Sequence, residues 1–221
     1  MARHATAVVA LAGAVVCDIT VCQAEDGGAG AGAFAVMLAK HGVPCGIVSP
    51  PAVVAWGRVE GPGNPETASK DPFGLGLGET LAAFNRHGPL FRATKVNGVV
   101  HIRAVDEPVE ITRALLVETL FGNDSDGPAA GCIGLATSAI RAGEMRGVIG
   151  SGPLPNAESA LNRRVHLSKG SYSALRVLDE VVKQASGVLW FVNYVPGQGG
   201  QQVSVGLMDS SGAYLKFTMN E

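Results

Sequence analysis

The sequence is short of charge, of long apolar runs and of the residue patterns that carry common chemistries. Charged residues make up 16% of its 221 residues, the formal net charge is -2, and no long block of like charge occurs. A nucleic-acid arm or a polybasic membrane anchor needs concentrated positive charge, so neither partner is expected. The apolar stretch from Ala5 to Cys17 is broken by Asp18, short of the roughly 18 residues that a membrane-spanning helix requires. Missing as well are His-Glu-x-x-His, Cys-x-x-Cys, a phosphate loop ending in Gly-Lys-Ser/Thr, and the Gly-x-Ser-x-Gly elbow. The sequence therefore assigns no catalytic residue, no metal ligand and no cofactor-binding residue.

What is present fits a globular α+β chain: 47% hydrophobic residues, with 30 glycines and 12 prolines lying largely between periodic runs. Residues 1–24 have a basic start at Arg3, an apolar middle and a short polar segment ending Cys22-Gln23-Ala24, the three-part layout of a secretory signal peptide. A periplasmic or secreted protein is the expectation, and a buried N-terminal strand or helix is the alternative. Cleavage after Ala24 would leave two cysteines, Cys45 and Cys132. They either pair in an oxidising compartment or stand as two buried thiols.

Residues 27–48, GGAGAGAFAVMLAKHGVPCGIV, imitate a dinucleotide-binding turn at Gly28, Gly30 and Ala33. That turn needs a hydrophobic strand before it and an acidic residue about 20 positions later. Gln23 to Asp26 make a poor strand, and the later position reads Ile47-Val48-Ser49-Pro50-Pro51. The expectation is a flexible Gly/Ala spacer leading into a helix.

A helix-then-strand pattern recurs. Residues 33–41 end at Gly42 and lead into Cys45 to Val48; residues 78–87 end at Gly88 and lead into LFRATKV, Asn97-Gly98 and VVHIRAV, a hairpin with a two-residue turn. The stripe Leu175, Leu178, Val181, Val182, Ala185 predicts a helix over 172–186, followed by VLWFVNYV, VSVGLM, the turn DSSG and AYLKFTM. Between these lie a Pro/Gly-rich segment at 49–76, read as a loop insertion, and residues 109–142. Within the latter, 109–121 is read as a strand end running into a helix, 123–131 as a loop and 132–142 as a short helix or strand. A connector at 150–157 sets the expected boundary between residues 25–150 and a C-terminal module, 151–221. The expected architecture is βαββ-like modules in two lobes, with helices packed on small antiparallel or mixed sheets.

The segments AFAVMLAKHGVPCGIVSP, LGETLAAFNRHGPLFRATKVNGVVHIRA and RVHLSKGSYSALRVLDEVVKQASGVLWFVNY resemble the short N-terminal domain of secretins and TonB-dependent receptors. The resemblance implies a non-enzymatic module that contacts other envelope proteins, and it supplies no catalytic residue. The rival readings are a nucleotide-binding enzyme built on residues 27–33, an unrecognised hydrolase, or a small-ligand carrier.

One cluster carries a partner hypothesis. A two-residue turn at Asn97-Gly98 pairs Arg92 with Arg103 and Thr94 with His101 on one hairpin face, leaving Phe91, Ala93, Val100 and Ile102 on the apolar other. Opposed arginines repel unless an anion lies beside them. Arg92, His101 and Arg103 therefore meet either an acidic partner or an acid of this same chain. His41 and His87 precede helix-ending glycines and read as caps, and His166 as part of a solvated strand face. Asp179 and Glu180 read as surface charge. Trp190, Val192 and Tyr194 point to one side of their strand and Phe191 to the other, all as core.

Overall fold

The computed structural model describes residues 29–50, 76–87, 90–141, 146–151, 158–197 and 200–220. The leader at 1–24, most of the 49–76 segment and most of the 150–157 connector lie outside the described residues.

The chain is α+β, with five helices and eleven strands among the described residues. Helix α1 (Ala29–Lys40) and strand β1 (Cys45–Ser49) come first. They are followed by α2 (Leu77–His87) and the hairpin of β2 (Phe91–Val96) and β3 (Val99–Ala104). Then come α3 (Val109–Leu116), β4 (Glu118–Phe121), β5 (Ser125–Pro128), α4 (Ala129–Arg141) and β6 (Arg146–Ser151). The C-terminal part holds β7 (Arg164–Leu167), β8 (Gly170–Ser173), α5 (Ala174–Gln184), β9 (Val188–Gly197), β10 (Gly200–Asp209) and β11 (Tyr214–Asn220).

Seven strands form one mixed sheet in the order β2-β3-β1-β9-β10-β11-β6. Strand β1 runs parallel to β3 and to β9, and the remaining pairs are antiparallel. This sheet replaces the expected two lobes, because β9 from the C-terminal module hydrogen-bonds directly to β1 from the N-terminal one. Strand β1 is buried along its whole length, as a parallel strand covered on both faces must be.

The two faces carry separate cores. On one, α1 and α2 pack against Cys45, Ile47, Phe91, Ile102, Leu189 and Phe191. On the other, α3, α4 and α5 pack against Val48, Trp190, Val192, Val205 and Leu207. Each buried Val, Leu, Ile or Phe contributes about 1.5–3 kcal/mol of transfer free energy, so helix and sheet hold each other where neither would persist alone. Of the two fates open to the cysteines, the structure shows the buried thiols. Cys45 and Cys132 are both free and buried, and they belong to different cores on opposite faces of the sheet, which stands between the two sulfurs.

Local sequence explains most element ends. Helix α1 closes with Gly42 at φ +70°, where its N–H bonds the Ala39 carbonyl and the Val43 N–H bonds the Leu38 carbonyl. This is the paired bonding that a left-handed glycine permits at a helix end. The helix itself starts at Ala29, so much of the expected spacer is helical; Ala31 and Ala35 are buried against the sheet, and that packing together with alanine's propensity offsets Gly30 and Gly32. These glycines lie inside the helix and not in a turn ahead of it. In α5, the Ser173 hydroxyl accepts from the Arg176 N–H. Asn97 (φ 49°) and Gly98 (φ 87°) form the hairpin turn with both central residues left-handed, as expected for Asn-Gly.

Residues 109–128 run opposite to expectation. Helix precedes strand, with Pro108 before the first turn, where its missing N–H costs nothing. The polar segment Ser125–Pro128 is a strand because tertiary pairing overrides its propensity. Strands β4 and β5 pair with β8 and β7 respectively. The two short ladders follow one another along the same pair of chain segments, making an interrupted ribbon that packs against α4 and α5.

Candidate functional site

The centre of the sheet carries an unusual row of side chains. His101 on β3, Gly46 on β1 and Trp190 on β9 are register neighbours. A Cβ built on Gly46 would stand 1.9 Å from Trp190 Cε2, so the indole occupies the space above the glycine. The His101 ring meets it edge-on, with centroids 5.5 Å apart.

From the helix layer above, Asp179 of α5 reaches into this row. Trp190 Nε1 donates to Asp179 Oδ1 at 3.0 Å, and His101 Nε2 lies 2.9 Å and 3.1 Å from the two carboxylate oxygens. An ionised carboxylate only accepts, so His101 donates from Nε2. Exposure is 5% for His101, 8% for Asp179 and 0% for Trp190. A histidine–carboxylate pair is the core of many acid–base sites, yet here it is sealed under α5 and shared with an indole. Its effect is to bolt α5 to strands β3 and β9.

The hairpin register is as the sequence implies, with Arg92 opposite Arg103 and Thr94 opposite His101. Phe91, Ala93, Val100 and Ile102 are all buried. The three basic residues do not form one contact face, and for His101 and Arg103 the alternative of an acid in the same chain holds. His101 goes to Asp179. Arg103 makes a two-bond pair with Glu107, one bond being Nε to Oε2 at 2.7 Å, and its second nitrogen also donates to Thr112 Oγ1 at 3.1 Å. Thr112 in turn donates to Glu107 at 2.8 Å. Of the three, only Arg92 stands on the surface, its guanidinium donating to the carbonyls of Phe91 (3.0 Å) and Asn85 (3.4 Å). The acid of the same chain resolves the opposed charges, since α3 and α5 cover this side of β3.

The outer edge of β2 shows a second arrangement. In a hairpin closed by a two-residue turn, alternate residues point their N–H and C=O groups away from the partner strand; on β2 these are Phe91, Ala93 and Lys95. The side-chain amide of Asn85, from α2, brackets Ala93. Its Nδ2 donates to the Ala93 carbonyl at 2.9 Å, and the Ala93 N–H donates to its Oδ1 at 2.7 Å. The same device recurs at β7, where Gln184 of α5 accepts from the His166 N–H and donates to its carbonyl, both at 2.9 Å.

A solvent-facing cavity of about 260 Å³ is lined by Glu158, Ser159, Arg163, Asp209, Ser210 and Ser211 among others. Burial opposes the charge of Asp209, but the hydroxyls of Ser159 and Ser211 and the amides of Ser211 and Ala213 outweigh it and hold its pKa below the ordinary carboxylate value. All of these bonds shape the DSSG turn. The carboxylate is thus already engaged by these hydroxyls and amides.

His41 is the cap at the end of α1, His87 ends α2, and His166 lies on the exposed side of β7. Among the described residues, no group of three His, Cys, Asp or Glu could hold a metal ion, and no helix is long and apolar enough to cross a membrane. The surface does display apolar side chains on α3 and β4: Val109 is 65% exposed, Leu116 53% and Leu120 78%. Val109 and Leu116 are two turns apart on one helical stripe, opposite the buried Ile111 and Leu115.

The reading of Asp179 as surface charge is corrected, since the residue is buried and holds His101 and Trp190; Glu107, Asn85 and Gly46 had no part in the sequence-based site. Two signals were available: a carboxylate flanking the apolar stripe of α5, and a glycine inside an apolar strand, which marks close approach. Comparison of the chain with protein-family models, with curated protein sequences and with solved structures finds no match.

Proposed function

We propose that this chain is an exported, non-enzymatic protein-contact module of the bacterial envelope. The observation that carries the reading is the apolar display of Val109, Leu116 and Leu120 on α3 and the short strand β4. Large apolar groups held out on a helix stripe and a neighbouring strand gain by being covered, and a partner protein covers them. The division of the polar groups supports the same reading. His101, Asp179, Arg103, Glu107 and Asp209 are engaged within the fold, where they stabilise elements. Export rests on the layout of residues 1–24, and the envelope setting on the resemblance to the N-terminal domain of secretins and TonB-dependent receptors.

The test is site-specific photo-cross-linking in cells, with a photoreactive residue at position 120 or, as a control, at exposed Ser138 on α4. A discrete cross-linked protein is expected from position 120 and not from 138, and Leu116→Asp should remove it. No cross-link at 120 in the exported protein, or equal cross-linking at both positions, overturns the proposal.

A further inference from the structure

The edge of β2 offers a more specific recognition surface, and this inference rests on reading the chain as a contact module. Strand β2 is the terminal strand of the seven-stranded sheet. An edge strand normally presents a row of unpaired backbone groups that another strand can join. At β2 the middle of that row is already occupied by side chains. Asn85 supplies one donor and one acceptor to Ala93, the same pair an adjoining strand would supply, and Arg92 covers the Phe91 carbonyl.

The charge on the edge strand itself has one sign. Strand β2 reads FRATKV, with Arg92 and Lys95 exposed and no acid, and Arg86, next to Asn85 on α2, is exposed too. Arg92 and Lys95 sit on opposite faces of the strand, so an added strand meets a cation whichever way its side chains point. Val96 (43% exposed) and Leu90 (48% exposed) flank the segment at its two ends.

We propose that the β2 edge is a strand-addition site for an extended acidic peptide segment of a partner protein, and that the Asn85 amide is its displaceable placeholder. Main-chain hydrogen bonds supply the attachment and the cations select the sequence, which is how strand addition divides affinity from specificity. Gln184 at His166 provides the contrast. Its bracket ties α5 to the ribbon at β7, away from the terminal strand of the main sheet.

The probe is a fluorescent decapeptide of alternating glutamate and valine, compared with its lysine and valine counterpart and with a version N-methylated at alternate backbone amides. Binding is followed by anisotropy on the purified exported chain. The glutamate peptide is expected to bind, to weaken with added salt, and to bind about tenfold more tightly to Asn85→Ala, which removes two competing hydrogen bonds. Gln184→Ala should leave its affinity unchanged. The lysine peptide and the N-methylated peptide should each bind at least tenfold more weakly than the glutamate peptide.

Hydrogen exchange on the wild-type chain, which needs no variant to fold, should show added protection at Lys95 when the glutamate peptide is saturating. Equal binding of the N-methylated peptide, unchanged protection at Lys95, equal gains from Asn85→Ala and Gln184→Ala, or self-association of Asn85→Ala without peptide uptake each overturn the proposal. Failure here leaves the position 120 cross-link untouched, and loss of that cross-link leaves the peptide titration readable, so the two readings fail separately.

Discussion

Trp190 lies over Gly46 on the neighbouring parallel strand, so close that a single added carbon on Gly46 would stand 1.9 Å from the indole. The glycine is what lets a large ring sit at the centre of the sheet and turn its N–H toward Asp179 at 3.0 Å. Gly206 plays the same part for Phe191, whose Cζ would be 2.2 Å from an added Cβ, on the other face. Close approach over glycine therefore fixes the two aromatic residues that anchor both cores to β9.

Gly46→Ala should be strongly destabilising. The fully buried Trp190 has no solvent to retreat into, so the strand or the ring must shift. Overpacking of this kind costs about 1–3 kcal/mol and sometimes more, and here moving the ring also strains the Asp179 bond. The check is urea denaturation followed by circular dichroism. A loss below about 0.5 kcal/mol would mean that Trp190 does not need the space above Gly46.

Asp179→Ala should cost about 3–5 kcal/mol, because it leaves the buried His101 and Trp190 N–H groups without their acceptor. The matched measurement is a double-mutant cycle with His101→Ala. A coupling energy of about 1–3 kcal/mol is expected for residues in direct contact within one buried network. Additivity would show that Asp179 acts through Trp190 alone.

The helices at 78–87 and 172–186, the Asn97-Gly98 hairpin with its register, and the opposite fates of Trp190 and Phe191 are all legible in the sequence. Each rests on local periodicity or turn chemistry. The single sheet is not legible, because nothing in CGIVS says that it pairs with VLWFV more than 140 residues later. Ser125–Pro128 was hidden for the same reason: its strand state comes entirely from β7. The partners of His101 and Arg103 were half visible. Their need for a counter-charge follows from the opposed arginines, but Asp179 lies 78 positions from His101, and only the placement of α5 brings them together.

Asp209 gives the fold an acid-sensitive turn. Its pKa is lowered in the folded chain by Ser159, Ser211 and two backbone amides, which prevail over burial. A depressed carboxylate adds stability that is fully present above its unfolded pKa of about 3.9 and is lost as pH falls through the folded value. Unfolding midpoints should therefore fall with acid below about pH 4, and Asp209→Asn should be less stable than wild type at pH 7 with a smaller loss on acidification. Ser159→Ala should reproduce part of this effect. An unchanged acid profile in Asp209→Asn would assign the acid sensitivity to other carboxylates.

Tyr194 should respond to alkali instead. Its side chain is buried, its hydroxyl has no hydrogen-bond partner among the described residues, and burial, with Asp106 and Glu107 adding to it, pushes its pKa up to about 12. A raised phenol favours the folded state while neutral, so its contribution is intact below the unfolded pKa of about 10 and declines as pH rises from there toward the folded value. Tyr194→Phe removes an unsatisfied buried polar group, which costs little or stabilises by up to about 1 kcal/mol at pH 7, and it should flatten the loss of stability between about pH 10 and 12. A clear destabilisation at neutral pH would show that the hydroxyl has a partner.

The two thiols should behave as separate buried groups in any redox environment. Cys45 sits with Ile47 and Ile102 on the α1 side of the sheet, where burial pushes its pKa far up and its Sγ donates to the Ala35 carbonyl at 3.3 Å. Cys132 lies on α4 on the opposite side, and burial raises its pKa as well. Both effects suppress the thiolate, which is the reactive form. Under native conditions at pH 8, a maleimide should leave Cys45 unmodified and label Cys132 only slowly, whereas both should react within minutes in denaturant. Peptide mapping without reductant should return neither residue as a Cys45–Cys132 linked peptide, even from protein purified from an oxidising compartment. Joining them would require one sulfur to pass through the sheet, so recovery of that linked peptide from folded protein would contradict the pairing of β1 with β3 and β9 on which both cores are built.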